Sequence, residues 1–299
     1  MKISGFTIVR NAQILDYPFP ESIISILPLC DEVIVCVGDS QDQTLSLCRE
    51  LAEKFPQVRL IETHWNTQNQ KHGFQLSAQT NLCLSQCRNP WAFYIQADEV
   101  AHEEDFEAIR NAILHANRQP DVDGLVFDYL HFYGDYRHTI SGRAWYRREV
   151  RLIKTGRGVQ SFRDAQGFRK LGEPVQAMEA NARIFHYGYV RTPESLRQKA
   201  FHMTQWWGRS PGEDFRLKNH IGIRPYKDSH PASMRDRVAA HPNDFHPARH
   251  PRVWDKRELK DLVTVAWETL VPVRIGEYRN FRLIGRPMPI GYRTHSSFL

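Results

Sequence analysis

Residues Glu32–Val37 read E-V-I-V-C-V, and Gly38–Thr44 follow at once as G-D-S-Q-D-Q-T. The first stretch is apolar after its opening glutamate and rich in β-branched side chains. An uninterrupted apolar run of this length suits a strand covered on both faces. After the polar turn, Gln43–Phe55 carries Leu45, Leu47, Leu51, Ala52 and Phe55 at helical spacing, and Pro56 ends it. The unit is therefore strand, polar turn, helix. Working outward, it recurs. Upstream lie a strand at Ile3–Val9 and a helix at Glu21–Leu29, separated by a turn with Pro18 and Pro20. Downstream come strands at Val58–Ile61, Trp91–Ile95 and Gly124–Leu130, alternating with helices at Phe74–Cys87 and Glu103–Ala116. Such alternation predicts an α/β chain whose mostly parallel sheet is flanked by helices.

Past residue 130 the rhythm loosens. Glu149–Lys154 and Arg183–Val190 read as strands, and the Gly-rich Gly156–Gly172 between them as loop. From Pro193 the composition turns basic, with helices expected at Leu196–Trp207 and Lys256–Leu270 and a proline-rich loop at His230–Pro251. The expected division is an α/β unit over 1–191 and a basic, mainly helical extension over 192–299.

Composition narrows the class. At 299 residues, 41% hydrophobic and 25% charged, the chain has a globular balance. No run of about 18 apolar residues exists to span a bilayer. The N-terminal M-K-I-S-G-F-T-I-V-R lacks the apolar stretch of a secretory signal. The expectation is a soluble, intracellular protein. Five cysteines, all within the first 87 residues and without a C-x-x-C pair, read as small buried thiols. The net charge of +6 is unevenly placed: residues 1–190 hold 20 basic and 23 acidic side chains, a balance of −3, and residues 191–299 hold 20 and 11, a balance of +9. That excess suits an anionic lipid, nucleic acid or substrate, or simply a solvated surface.

In parallel α/β sheets, ligands bind beyond the carboxyl ends of the strands. The residues there are Arg10-Asn11, Gly38-Asp39-Ser40 and Gln96-Ala97-Asp98-Glu99. Asp98 and Glu99 break an apolar strand abruptly. Oxygen ligands at such an edge suit Mg²⁺ or Mn²⁺, and the alternative is a helix cap or two surface charges. Asp39 suits a ribose or base, while Asp42 and Thr44 suit a cap. His186, in F-H-Y-G-Y, reads either as a metal ligand or as a packed core histidine. His241, His246 and His250 alternate with prolines at no zinc spacing. Neither G-x-G-x-x-G nor G-x-x-x-x-G-K-[ST] occurs, which argues against a dinucleotide dehydrogenase and a P-loop NTPase.

Taken in order, R-N-A after the first strand, V-G-D-S-Q-D-Q-T after the second, I-Q-A-D-E after the fourth and F-H-Y-G-Y late in the chain resemble a family 2 glycosyltransferase over about residues 3–191. The usual D-x-x-S-x-D-x-T is contracted, and the usual D-x-D stands as Gln96-Ala97-Asp98. The resemblance implies a GT-A fold and inverting transfer from a nucleoside-diphosphate sugar to a glycan or other hydroxyl acceptor. It assigns the nucleotide to Arg10, Asn11, Asp39 and Gln96, and a Mg²⁺ or Mn²⁺ ion to Asp98 with His186 as second ligand. The general base is expected from Asp164 or Glu173, with Asp128 a third choice. Arg143, Arg147 and Arg148 are further candidates for the phosphates. Trp206-Trp207 and the basic helices lie outside the resemblance and suit an acceptor glycan, an anionic lipid surface or a second subunit, or simply cover the catalytic unit. The implied location is cytoplasmic, with peripheral contact to an anionic inner membrane face as a further expectation and no nucleic acid as partner. Two other classes fit parts of the sequence: a non-catalytic nucleotide-sugar binder, suggested by Gln96 and Ala12, and a basic nucleic-acid-binding protein, suggested by the +9 tail.

Overall fold

The computed structural model describes residues 1–66, 73–207, 216–252, 256–271 and 280–284. The first half follows the alternation: β1 (Ile3–Val9), α1 (Phe19–Ile26), β2 (Glu32–Val37), α2 (Thr44–Lys54), β3 (Val58–Glu62), α3 (Phe74–Leu84) and β4 (Trp91–Tyr94). A short β5 (Glu99–Ala101) and α4 (Phe106–Asn117) lead into β6 (Gly124–Tyr133), β7 (Asp135–Ile140) and β8 (Arg148–Lys154). Next come the hairpin β9 (Val159–Phe162) and β10 (Gly167–Lys170), then the long β11 (Glu173–Tyr189). The last third supplies α5 (Pro193–Trp207), β12 (Ile223–Pro225), α6 (Arg235–Ala240), α7 (Lys256–Leu270) and β13 (Phe281–Leu283).

The main sheet runs β3-β2-β1-β4-β8-β6-β11-β10-β9. Its first four strands are parallel. Beyond β4 it becomes mixed, because β8 pairs antiparallel with both β4 and β6 while β6 and β11 are parallel. Both faces of the centre are covered. Trp91, Phe93, Leu125, Phe127, Leu152 and Ile184 lie in one core, and Phe6, Ile34, Tyr94, Val150 and Phe168 in the other. Hence β2 and β4 are apolar at nearly every position.

Several expectations change here. Gly156–Gly172 is not loop throughout: Gly156, Gly158 and Gly172 sit at positive φ in the turns flanking the β9–β10 hairpin, and Gly167 opens β10. Asp135–Ile140 forms β7, unannounced by its polar sequence, as an outer strand carrying β12. The proline-rich 230–251 stretch contains the short α6. Cys30, Cys36, Cys48, Cys83 and Cys87 are all free thiols, and all but Cys87 are buried. Among the described residues, no helix is long and apolar enough to cross a membrane.

Candidate active site

The loops after β1 and β2 are laced together. The Asn11 amide N–H donates to Ser40 Oγ (3.1 Å), and its side-chain Oδ1 accepts from the Gln41 N–H (2.7 Å). Thr44 Oγ1 accepts from the Ala12 N–H (2.8 Å). Asp42 accepts from the N–H groups of Gln13 and Ile14 and, across the turn that leads into α2, from that of Thr44. The motif after β2 thus fixes the loop after β1, and Asn11, buried with φ 49°, is part of that lacing. Asp39 remains at the surface. Its carboxylate meets His64 Nδ1 (2.7 Å) and accepts from the Trp65 N–H (3.1 Å), a backbone bond that holds it below the usual carboxylate range. Arg10 donates to the Asp39 carbonyl (2.9 Å) and lies over the Trp65 ring. Gly38 is required here, because a Cβ would fall 2.2 Å from Trp65 Nε1. The structure therefore brings Arg10, Asn11 and Asp39 together at the tips of β1–β3.

Asp98 and Glu99 part company. Glu99 turns beneath the sheet edge into a fully buried bidentate pair with Arg151 (2.7 and 2.9 Å), and it also accepts from Tyr129 OH and the Gln96 N–H. It is structural. Asp98 faces His186, Arg191 and Lys199, with Oδ2 at 3.7 Å from His186 Nε2, 3.3 Å from Arg191 Nη2 and 3.8 Å from Lys199 Nζ. Burial would raise the Asp98 carboxyl, but the positive charges of Lys199 and Arg191 beside it outweigh burial and hold it below the ordinary value. Lys199 is itself pushed down to about 7, chiefly by burial.

The two histidines determine which nitrogen is bare. β6 and β11 run in register with His131 beside His186. His131 Nε2 lies 2.7 Å from the Tyr146 carbonyl, which only accepts, so the ring proton is on Nε2. Burial pushes His131 down to about 4, so the ring is neutral and its Nδ1 is an acceptor. His186 Nδ1, 2.9 Å away, must then be the donor. Burial also pushes His186 well below its ordinary value, which leaves its Nε2 with a lone pair directed toward the Asp98 carboxylate. Two lone-pair donors face each other beneath Gly188, where a Cβ would fall 2.7 Å from His186 Nε2 and 3.0 Å from Asp98 Oδ2. A carboxylate oxygen and an imidazole nitrogen oriented by a second hydrogen bond fit a divalent ion that completes its shell from phosphate oxygens and water. Among the described residues, no group of three or more His, Cys, Asp or Glu would hold an ion unaided.

Gln96 donates from Nε2 to the Ala165 carbonyl (3.1 Å) and thereby ties the β9–β10 turn to the end of β4. That turn carries Asp164, partly exposed, its carboxyl raised by burial. Gln96 and Asp164 are thus brought to the same strand end. Glu173 is not. It opens β11, exposed and near Arg282 (3.5 Å), whereas His186 lies 13 residues further along that strand, on the order of 40 Å at about 3.3 Å per residue. Asp128 is exposed on β6, beside Arg148 and Arg183 in register. Arg143 is held by α7 and Arg148 pairs with Glu179 (3.1 Å). The side chains of Trp206 and Trp207 lie outside the described residues.

His64, Trp65, His131, Arg191 and Lys199 were not anticipated. The first two follow β3, so the strand-end rule applied there would have found them. Arg191 likewise follows β11, within reach of the same rule, whereas His131 and Lys199 are brought in by the β6–β11 register and the return of α5.

The family model described as "Glycosyl transferase family 2" matches residues 18–173, just over half of the 299. No curated protein matches the chain. Among solved structures, TarS from S. aureus is similar at 13% identity over 68% of this chain and 40% of that one, TM-score 0.40. TarS 1–349 in complex with UDP-GlcNAc is similar at 18% identity over 46% and 36%, TM-score 0.33. Mannosyltransferase PcManGT from Pyrobaculum calidifontis in complex with GDP-Man and Mn²⁺ is similar at 21% identity over 42% and 34%, TM-score 0.31. The chain therefore spans about 40% of the length of TarS.

Proposed function

The chain belongs to glycosyl transferase family 2, and from that premise we propose that it transfers a sugar from a nucleoside-diphosphate donor to a hydroxyl acceptor, with inversion at the anomeric carbon. The observation that carries the reading is the Asp98–His186 pair, with its hydrogen-bond chain to His131 and the Tyr146 carbonyl. In such a transfer, negative charge gathers on the departing diphosphate. A Mg²⁺ or Mn²⁺ ion held by Asp98 and His186 would offset that charge. Arg191 and Lys199 keep Asp98 ionised, and Arg191 anchors it by donating to the Gly188 and Leu15 carbonyls. Arg10, Asp39 and His64 offer the nucleoside a guanidinium, a carboxylate and an imidazole at the tips of β1–β3, with the buried Trp65 ring beneath Arg10. Gln96 holds the Asp164 turn at the strand end, where Asp164 serves as the base that takes the acceptor proton. Glu173 has no part in this mechanism. The catalytic unit covers 1–191 and its extension 192–299, which sends Lys199 back to Asp98. The setting is cytoplasmic and at the membrane face, and the acceptor is a glycan or related hydroxyl compound.

The test is calorimetric titration of the purified chain with UDP, GDP, ADP, CMP and dTDP, each with Mn²⁺, with Mg²⁺ and with EDTA, alongside Asp98→Ala. One nucleotide should bind with metal dependence, and the variant should lose it. A folded wild type that binds none of them would overturn the reading. Binding indifferent to EDTA and to Asp98→Ala would instead favour the non-catalytic relative.

A further inference from the structure

In an ordinary surface helix the apolar stripe faces the core and the charges face water. α7 does the reverse. Among its described side chains Glu258, Asp261 and Thr264 are the buried ones, 5–6% exposed, and they anchor the helix through polar contacts. Glu258 meets His220 Nδ1 and accepts from the Ile221 N–H (3.1 Å). Asp261 accepts from the Arg143 N–H (2.7 Å), and Thr264 Oγ1 accepts from Arg143 Nε (2.7 Å). Turned outward are Leu259, Leu262 and Val263, 54%, 49% and 68% exposed, with Trp267 a turn beyond at 44%. Their i, i+3, i+4, i+8 spacing makes one continuous apolar stripe. Stripes of this kind on a surface mark a place where something docks.

The charges beside the stripe indicate what docks. Both acids of α7 whose side chains are described point inward, and both described lysines, Lys256 and Lys260, point outward. The surrounding last third carries the +9 balance. An outward face of leucine, valine and tryptophan edged by lysine matches a helix lying in the plane of an anionic bilayer, apolar side among the acyl chains and ammonium groups among the headgroups. A second copy is a poorer match, because a two-fold contact through this face sets the same lysines against each other. We propose that the outer face of α7 docks the protein on an anionic lipid surface. The proposal gives a surface to the membrane contact suggested above but does not need the transferase chemistry.

The test is flotation of the full-length chain with vesicles of phosphatidylcholine alone and of phosphatidylcholine with about 30% phosphatidylglycerol. Anionic vesicles should carry the protein up the gradient, neutral ones should not, and raising the salt should release it. The Leu262→Glu/Val263→Glu pair should abolish flotation, and Lys256→Gln and Lys260→Gln should each weaken it about fivefold. All four positions face outward, so thermal melts and nucleotide binding should be unchanged. Absence of flotation with a folded wild type would overturn the proposal, as would a face covered by this chain's own remaining residues. Light scattering that finds a dimer dispersed by the Leu262→Glu/Val263→Glu pair, without lipid binding, would make the face an interface between copies instead. Because flotation requires no nucleotide, its failure is distinguishable from failure of the transferase reading.

Discussion

The two ends of the candidate site use charge in opposite ways. At the tips of β1–β3, Arg10, Asp39 and His64 stand at the surface; the His64 side chain is 97% exposed and that of Asp39 is 48%. Under Gly188, Asp98, His186 and Arg191 are buried, with the fully enclosed Glu99–Arg151 pair just behind them. Water screens the first set and relieves each group of strict dependence on its neighbours. The second set has no such relief, so each charge depends on its partner being present. The exposed end should tolerate change with graded effects, and the buried end should not.

The largest effect is expected behind the buried end. Arg151→Met leaves Glu99 enclosed with only Tyr129 OH and the Gln96 N–H, and should cost about 3–5 kcal/mol. Arg49→Met, at an ion pair of the same length (2.7 Å) whose side chains are 56% and 58% exposed, should cost less than about 1 kcal/mol. Urea unfolding of the two variants measures the contrast directly. Equal losses would break the comparison.

Next in size is the histidine pair. His131→Phe removes the acceptor that keeps the His186 proton on Nδ1, so His186 is free to protonate Nε2 and lose its lone pair. Metal affinity in the presence of nucleotide should fall roughly 10- to 100-fold, and the melting temperature should fall as well, because the Tyr146 carbonyl and His186 Nδ1 lose a buried partner. Calorimetry with Mn²⁺ reads it. Unchanged affinity would mean that the His131 bond does not set the tautomer.

The parts of this arrangement that sequence made legible are those written in short range. The apolar E-V-I-V-C-V run, the helix-stopping Pro56 and the abrupt Asp98-Glu99 after W-A-F-Y-I-Q-A each carry their structural cause within a few residues. That Asp98 would face the site and Glu99 the core was not legible, since both follow the same strand and the choice depends on Arg151, 52 residues away in β8. His186 was recognisable as a candidate, but its bare nitrogen depends on the register between β6 and β11. Glu173 failed for a related reason. It was a candidate only by its place in the sequence, whereas it opens a 17-residue strand that carries His186 near its other end.

Glu149 sharpens the comparison on the pH axis. It is 2% exposed, with Gln166 Nε2 (2.7 Å) and Asn280 Nδ2 (3.0 Å) both on Oε1, and burial pushes it up to about 7. A carboxyl whose folded value is raised binds its proton more tightly folded than unfolded. Its contribution is therefore full below about 4.5 and is lost as pH rises towards 7. Urea midpoints measured from pH 4.5 to 8 should fall less steeply for Glu149→Gln than for the wild type. Parallel curves would show that Glu149 is ionised in the folded chain at every pH tested.

The smallest effects belong to the exposed end. Asp39→Asn keeps an acceptor for the Trp65 N–H but removes the charge facing His64, so the loop geometry survives. A carboxylate accepting from a ribose hydroxyl exceeds an amide oxygen in strength by roughly a factor of two, less where water competes. Nucleotide affinity should weaken about two- to fivefold, with metal dependence and stability unaltered. Glu173→Gln should change neither, since its nearest described cation, Arg282, is also exposed and no site residue is in reach. Measuring both by nucleotide titration separates a carboxylate that lines the site from one that resembled a catalytic group only by its position in the sequence. A large loss at Glu173 with the fold intact would require the far end of β11 to reach the reacting centre, and the whole placement of the site would have to be redrawn.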